Sequence, residues 1–131
     1  MERLSRRVFS YVKGRPEITA RVVSPTGESR FMEFLLDSGA DISMISQAKA
    51  SLIGINYDEL NVREETVETA NYSCAYTKKI DLEIKIDERR IKIPVFISKQ
   101  EVGCLLGRRG FFDAFDILFQ ERLHRVTLMT P

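Results

Sequence analysis

Asp37-Ser38-Gly39-Ala40-Asp41 places an acid, a hydroxyl and a glycine directly after the apolar run Phe34-Leu35-Leu36. A carboxylate where an apolar strand end meets a tight turn is costly to ionise, because low-dielectric surroundings disfavour its charged form. Such a placement serves proton-transfer chemistry or a buried pair. Ser38 offers a hydroxyl that can orient neighbouring backbone, and Gly39 lets the chain fold back close to the acid without a Cβ in the way. Alone, the same residues also fit an Asx-type turn closing a strand. Asp58, Asp113 and Asp116 lack a Ser/Thr-Gly follow-on, and Asp81 and Asp87 fall on the polar side of an alternating strand. All five read as solvated or capping residues, which leaves one candidate acid per chain.

Placing that acid falls to strands. Residues 17–24, rich in Ile and Val, the turn signal Pro25-Thr26-Gly27 and the return strand Ser29–Leu36 predict a hairpin that delivers Asp37 to its end. Residues 42–46 read as a short strand, and 47–52 as one or two helical turns stopped near Gly54. Residues 56–65 are polar and irregular, and the pattern becomes extended again from Val67. Ile80, Leu82, Ile84 and Ile86 alternate with Asp81, Glu83, Lys85 and Asp87. After a turn at 87–89, Ile91, Ile93, Val95 and Ile97 resume the period of two. Pro94 has no amide to donate, so its position should face away from a partner strand. Cys104-Leu105-Leu106-Gly107 reads as a buried apolar stretch. Residues 108–115 read as a helix with Phe111, Phe112 and Phe115 on one face, and Arg125–Met129 as a closing strand. Short strands with few helices predict a mostly β domain, barrel-like or sandwich-like.

The 131 residues carry 20 basic and 19 acidic side chains, for a net charge of +1, which argues against a nucleic-acid surface built on bulk charge. Residues 1–14 read as a basic N-terminal arm, solvated or disordered, ahead of one domain over 15–131. Cys74 and Cys104 stand too far apart in sequence for a metal-ligand pair, and the single His124 adds no cluster, so no metal is expected. No apolar run suggests a membrane span. The N-terminus has charges but no apolar signal core, which makes the cytoplasm the expected compartment.

Three elements together resemble the retropepsins, the single-domain, retroviral-type aspartic peptidases, over about residues 17–129. Phe34 to Asp41 is similar to that family's active loop and its preceding strand. Leu105-Leu106-Gly107-Arg108, with Gly110-Phe111-Phe112-Asp113-Ala114-Phe115 behind it, is similar to the family's hydrophobic-hydrophobic-Gly-Arg segment and C-terminal helix. Residues 67–78 stand where the family carries its flap. The resemblance implies a closed β-barrel-like acid-protease fold with one short C-terminal helix and one lobe per chain. It implies a homodimer in which two Asp37 carboxylates, one per chain, hold a water without metal or cofactor. The substrate would be an extended, largely apolar peptide segment or unfolded protein, with no nucleic acid or membrane as partner.

By the same resemblance, Ser38 braces the loops across the two-fold axis, Gly39 admits substrate backbone, and Asp41 and Arg108 form a buried ion pair beside the site. Leu105, Leu106 and Gly107 build the second loop or cleft wall, and Asn71, Tyr72 and Tyr76 are flap candidates, although the tip around them lacks the family's glycines. Ala40 offers the carboxylate no hydroxyl, so a mildly acidic optimum is expected. Residues 124–129 form either an interface strand or an intramolecular edge strand, and the basic N-terminus does not resemble the family's first strand. The alternative is a non-proteolytic dimerisation or peptide-binding module on the same fold.

Overall fold

The computed structural model describes residues 5–69 and 73–131. Its strands are β1 (Arg6–Ser10), β2 (Glu17–Val23), β3 (Ser29–Leu36), β4 (Ser43–Ser46), β5 (Glu64–Glu68), β6 (Cys74–Ile86), β7 (Arg89–Ser98), β8 (Leu105–Leu106), β9 (Asp116–Gln120) and β10 (Arg125–Met129). One short helix, α1 (Gln47–Ser51), follows β4, with the Ser46 hydroxyl accepting from Lys49 N at 3.2 Å as its cap.

Seven strands form one sheet in the order β2-β3-β8-β4-β7-β6-β5, and β2 also pairs with β6. The alternating apolar positions explain the sheet's inner face. Ile18, Ala20 and Val22 of β2, Met32, Phe34 and Leu36 of β3, Leu82 and Ile84 of β6, and Ile93, Val95 and Ile97 of β7 are all buried. β6 and β7 pair from Thr77 opposite Ser98 to Ile86 opposite Arg89, and Asp87 turns the chain between them at a φ of 52°. Pro94 lies one residue before Val95, where pairing with β4 begins. The two-residue strand β8 runs parallel to β3 and antiparallel to β4. Its Leu106 is fully buried, so truncation to alanine costs about 2–5 kcal/mol.

The second sheet has the order β1-β10-β9. Here the structure corrects two expectations. The basic arm is not free throughout, since Arg6–Ser10 pairs with β10 from Arg6 opposite Met129 to Ser10 opposite Arg125. Phe9, packed on the core, anchors it. For the same reason β10 is no edge strand, because it lies between β1 and β9 of its own chain.

The helix expected over 108–115 is broken and is not C-terminal. Arg109 is extended (ψ 119°) and Gly110 turns left-handed (φ 88°), splitting the segment Arg108–Phe112. The break requires glycine at 110, since a Cβ there would lie 2.8 Å from Ile93 Cβ and 3.0 Å from Pro94 Cδ. Phe111 and Phe115 still reach the core, and β9 and β10 follow.

Candidate active site

Asp37 is the first residue past β3. Parallel pairing sets Leu35 beside Leu105 and Leu36 beside Leu106, and Asp37 N donates to the Leu106 carbonyl at 3.0 Å. The chain then turns, with Ala40 N donating to Asp37 O at 3.2 Å. Gly39 N donates to Asp37 Oδ1 at 2.9 Å, which orients the half-buried carboxylate.

The segment after β8 pins this loop from below. Arg108 N donates to Ala40 O at 2.9 Å and Arg109 N to Asp41 O at 2.8 Å. Gly107 N donates to the hydroxyl of buried Ser43 at 3.0 Å. A Cβ on Gly107 would come within 2.8 Å of Ala40 O, Ile42 C and Ile42 O, all main-chain atoms. Glycine is therefore required by close backbone approach, not by its φ of −109°. At Gly39 the demand is weaker, with Asp37 Oδ1 3.3 Å from the would-be Cβ.

Asp41 and Arg108 meet as an ion pair, but the pair is not buried. Their side chains are 72% and 59% exposed. Water screens such a pair, so it adds at most about 1 kcal/mol to the chain's stability.

A cleft of about 1040 Å³ opens beside Asp37. Asp37, Gly39, Ala40 and Asp41 form one side. Val67 and Glu68 of β5, with Cys74 and Ala75 of β6, form a hairpin wall, and Leu105 lies at the base. Ser38 sits exposed at the loop tip and does not line the cleft, while Leu106 is buried and Gly107 lies between the two loops. Tyr76 stands on the hairpin opposite Thr66 but faces away from the cleft lining. It alternates with buried Ala75, is 49% exposed, and does not line the cleft. Asn71 and Tyr72 lie outside the described residues.

The third wall is residues 100–104, of which the sequence reading singles out only Cys104, as part of an apolar stretch. No period marks this segment. The available hint was Ser98 ahead of Gln100, since the Ser98 hydroxyl both donates to Gln100 O at 2.9 Å and accepts from Gln100 N at 3.1 Å to turn the chain. Within this wall, burial pushes the Cys104 thiol above its ordinary range, with Lys49 opposing. Cys74 and Cys104 are both free thiols.

The arrangement supplies an oriented carboxylate at the edge of an open cleft of about 1040 Å³. Asp41, already ion-paired to Arg108, Glu68 on the hairpin and Glu101 on the far lip are the other acids that line it. The one histidine is remote from this chemistry, stacked on Tyr11 at 5.6 Å between β9 and β10.

Against known proteins, the aspartyl protease family model matches residues 18–109. A comparison with curated proteins found no match to this chain. Among solved structures, a retropepsin-like aspartic protease from Rickettsia conorii superposes with a TM-score of 0.73 at 16% identity, over 96% of this chain and 100% of that one. The EIAV protease complexed with the inhibitor HBY-793 gives a TM-score of 0.50 at 22% identity, over 74% of this chain and 85% of that one. At these identities the structural likeness establishes the fold.

Proposed function

We propose that this chain, which belongs to the aspartyl protease family and has a retropepsin-like fold, hydrolyses peptide bonds as a homodimer. The observation that carries the reading is the single pinned carboxylate. Asp37 is oriented by Gly39 N and held from below by the Leu106–Arg109 segment, yet the sequence carries one Asp-Ser-Gly run. A two-fold axis beside Ser38 would bring a second Asp37 into the site, and the exposure of Ser38 leaves its hydroxyl available to brace the pair. The β2–β6 pairing is read as the seam that closes the sheet into a barrel.

Two carboxylates at such close range cannot both ionise, so the pair shares one proton. The ionised Asp37 takes a proton from the water as its oxygen attacks the scissile carbonyl carbon. The protonated Asp37 donates to the carbonyl oxygen, giving a neutral tetrahedral diol. Collapse of that diol breaks the C–N bond: the carboxyl that took the water's proton passes it to the leaving nitrogen, the other carboxylate takes a proton from a diol hydroxyl as the new carboxyl C=O forms, and the dyad returns to its starting state. The apolar lining from Met44, Val67 and Phe96 favours extended, largely apolar substrate segments.

An apolar fluorogenic peptide or casein tests this directly. Asp37→Asn should lower turnover by at least about 100-fold, and sedimentation should find dimers under active conditions. Hydrolysis that survives Asp37→Asn, or that proceeds at full rate with only monomers present, refutes the reading.

A further inference from the structure

The hairpin wall of the cleft leaves the main sheet along a sharp line. β6 pairs with β7 only as far as Thr77 opposite Ser98. Beyond Thr77, toward the tip, its ladder partner is β5 alone, from Thr66 opposite Tyr76 to Glu68 opposite Cys74. A lone two-stranded ribbon is marginally stable in water, and β5 is mostly exposed. What fixes the wall is therefore its base.

Four side chains meet there. Buried Tyr57 donates its hydroxyl to Glu64 Oε2, at the start of β5, at 2.7 Å. Lys78, opposite Glu64, donates Nζ to Tyr57 O at 2.9 Å and to Leu60 O at 3.1 Å, and lies 4.7 Å from the centre of the Tyr57 ring. On the cleft side, Gln100 Oε1 accepts Tyr76 N at 2.7 Å while Lys99 N donates to Tyr76 O at 2.8 Å. The Gln100 amide thus stands in for the carbonyl that β7 no longer supplies. Burial, with Glu64 alongside, raises the Tyr57 phenol above its ordinary range.

We infer that Tyr57, Lys78 and Gln100 are positioning residues that hold the hairpin wall at its working height over Asp37 and so set how well an extended peptide is gripped. Lys78 and Gln100 bind main-chain groups, so they act on the strands themselves rather than on any one pocket. The inference rests on the peptidase reading of the same cleft.

Tyr57→Phe and Lys78→Met, both outside the cleft lining, test it by steady-state kinetics and amide hydrogen exchange. Each should raise KM about 3- to 10-fold with kcat within about twofold, and speed exchange of the amides at 65–68 and 74–76 by a similar factor. Glu64→Gln keeps an acceptor oxygen for the Tyr57 hydroxyl and should stay near wild type. Unchanged KM and unchanged hairpin exchange in both variants overturn the inference, as does a fall in kcat with KM untouched. Should Lys78→Met fail to fold, Tyr57→Phe, which removes one oxygen atom, carries the test. If the wild-type chain cleaves no peptide, the peptidase reading falls, while hairpin exchange still decides whether these residues hold the wall.

Discussion

Alanine at position 107 puts a methyl carbon 2.8 Å from three main-chain atoms, Ala40 O, Ile42 C and Ile42 O. None of the three belongs to a side chain that can swing away, so the active loop must rise or the segment after β8 must drop. Overpacking of this kind costs about 1–3 kcal/mol. Either movement also stretches the 3.0 Å bond from Gly107 N to the Ser43 hydroxyl, worth about 1 kcal/mol more. The sum, about 2–4 kcal/mol, corresponds to a fall in Tm of about 10 °C for a chain of this size. Activity should suffer more than stability, because a shift of about 1 Å in a catalytic group costs about 100-fold in rate. Thermal melts and peptide hydrolysis measure both. Gly103→Ala is the control, since its added Cβ meets nothing within 4 Å, and it should change stability by less than about 0.5 kcal/mol. A Gly107→Ala protein that melts within about 2 °C of wild type and keeps its turnover would refute the interlocking of the two loops.

Arg108→Ala should cost the isolated chain less than about 1 kcal/mol in urea unfolding, since both partners of its ion pair face water. A loss several times larger that grows with protein concentration would mean that a second copy covers the pair. The pH–rate profile should peak in the mildly acidic range, because Ala40 brings no hydroxyl to the carboxylate, and a peak below about pH 3 contradicts this. Iodoacetamide at neutral pH should modify exposed Cys74 well before Cys104, whose raised pKa leaves less thiolate. Peptide mass mapping showing Cys104 labelled first would reverse that order.

Strands whose one face is buried were legible because alternation survives any detail of packing. The hairpin to Leu36, the pair carrying Ile80 to Ile97, and the closing strand Arg125–Met129 stand where the pattern put them. Asp37 with its Ser-Gly follow-on, and the distant Leu-Leu-Gly-Arg, were visible as residues, and the structure brings them together. What escaped was decided by tertiary contact. Three phenylalanines at helical spacing predicted one helix, but extended Arg109 and left-handed Gly110 interrupt it. Arginines masked β1, since pairing with β10 needs only Phe9 to face inward. The Asp41–Arg108 pairing could be anticipated but its exposure could not, because solvent access depends on what lies above the pair. Tyr57 sits in a polar stretch whose composition conceals a buried ring.

The threading of β8 between β3 and β4 also governs when the molecule becomes competent during its synthesis. The bond from Gly107 to Ser43 spans 64 residues, and the Arg108–Asp41 contact spans 67. Non-local closures of this length are slow steps in folding. At ribosomal speeds of about 5–20 residues per second, a stretch of 64 residues takes about 3–13 s to emerge. Through that interval the acidic loop exists without its strut. On the peptidase reading, a nascent chain or a product truncated before Leu105 therefore lacks the backbone donors and acceptor that hold the acidic loop in place.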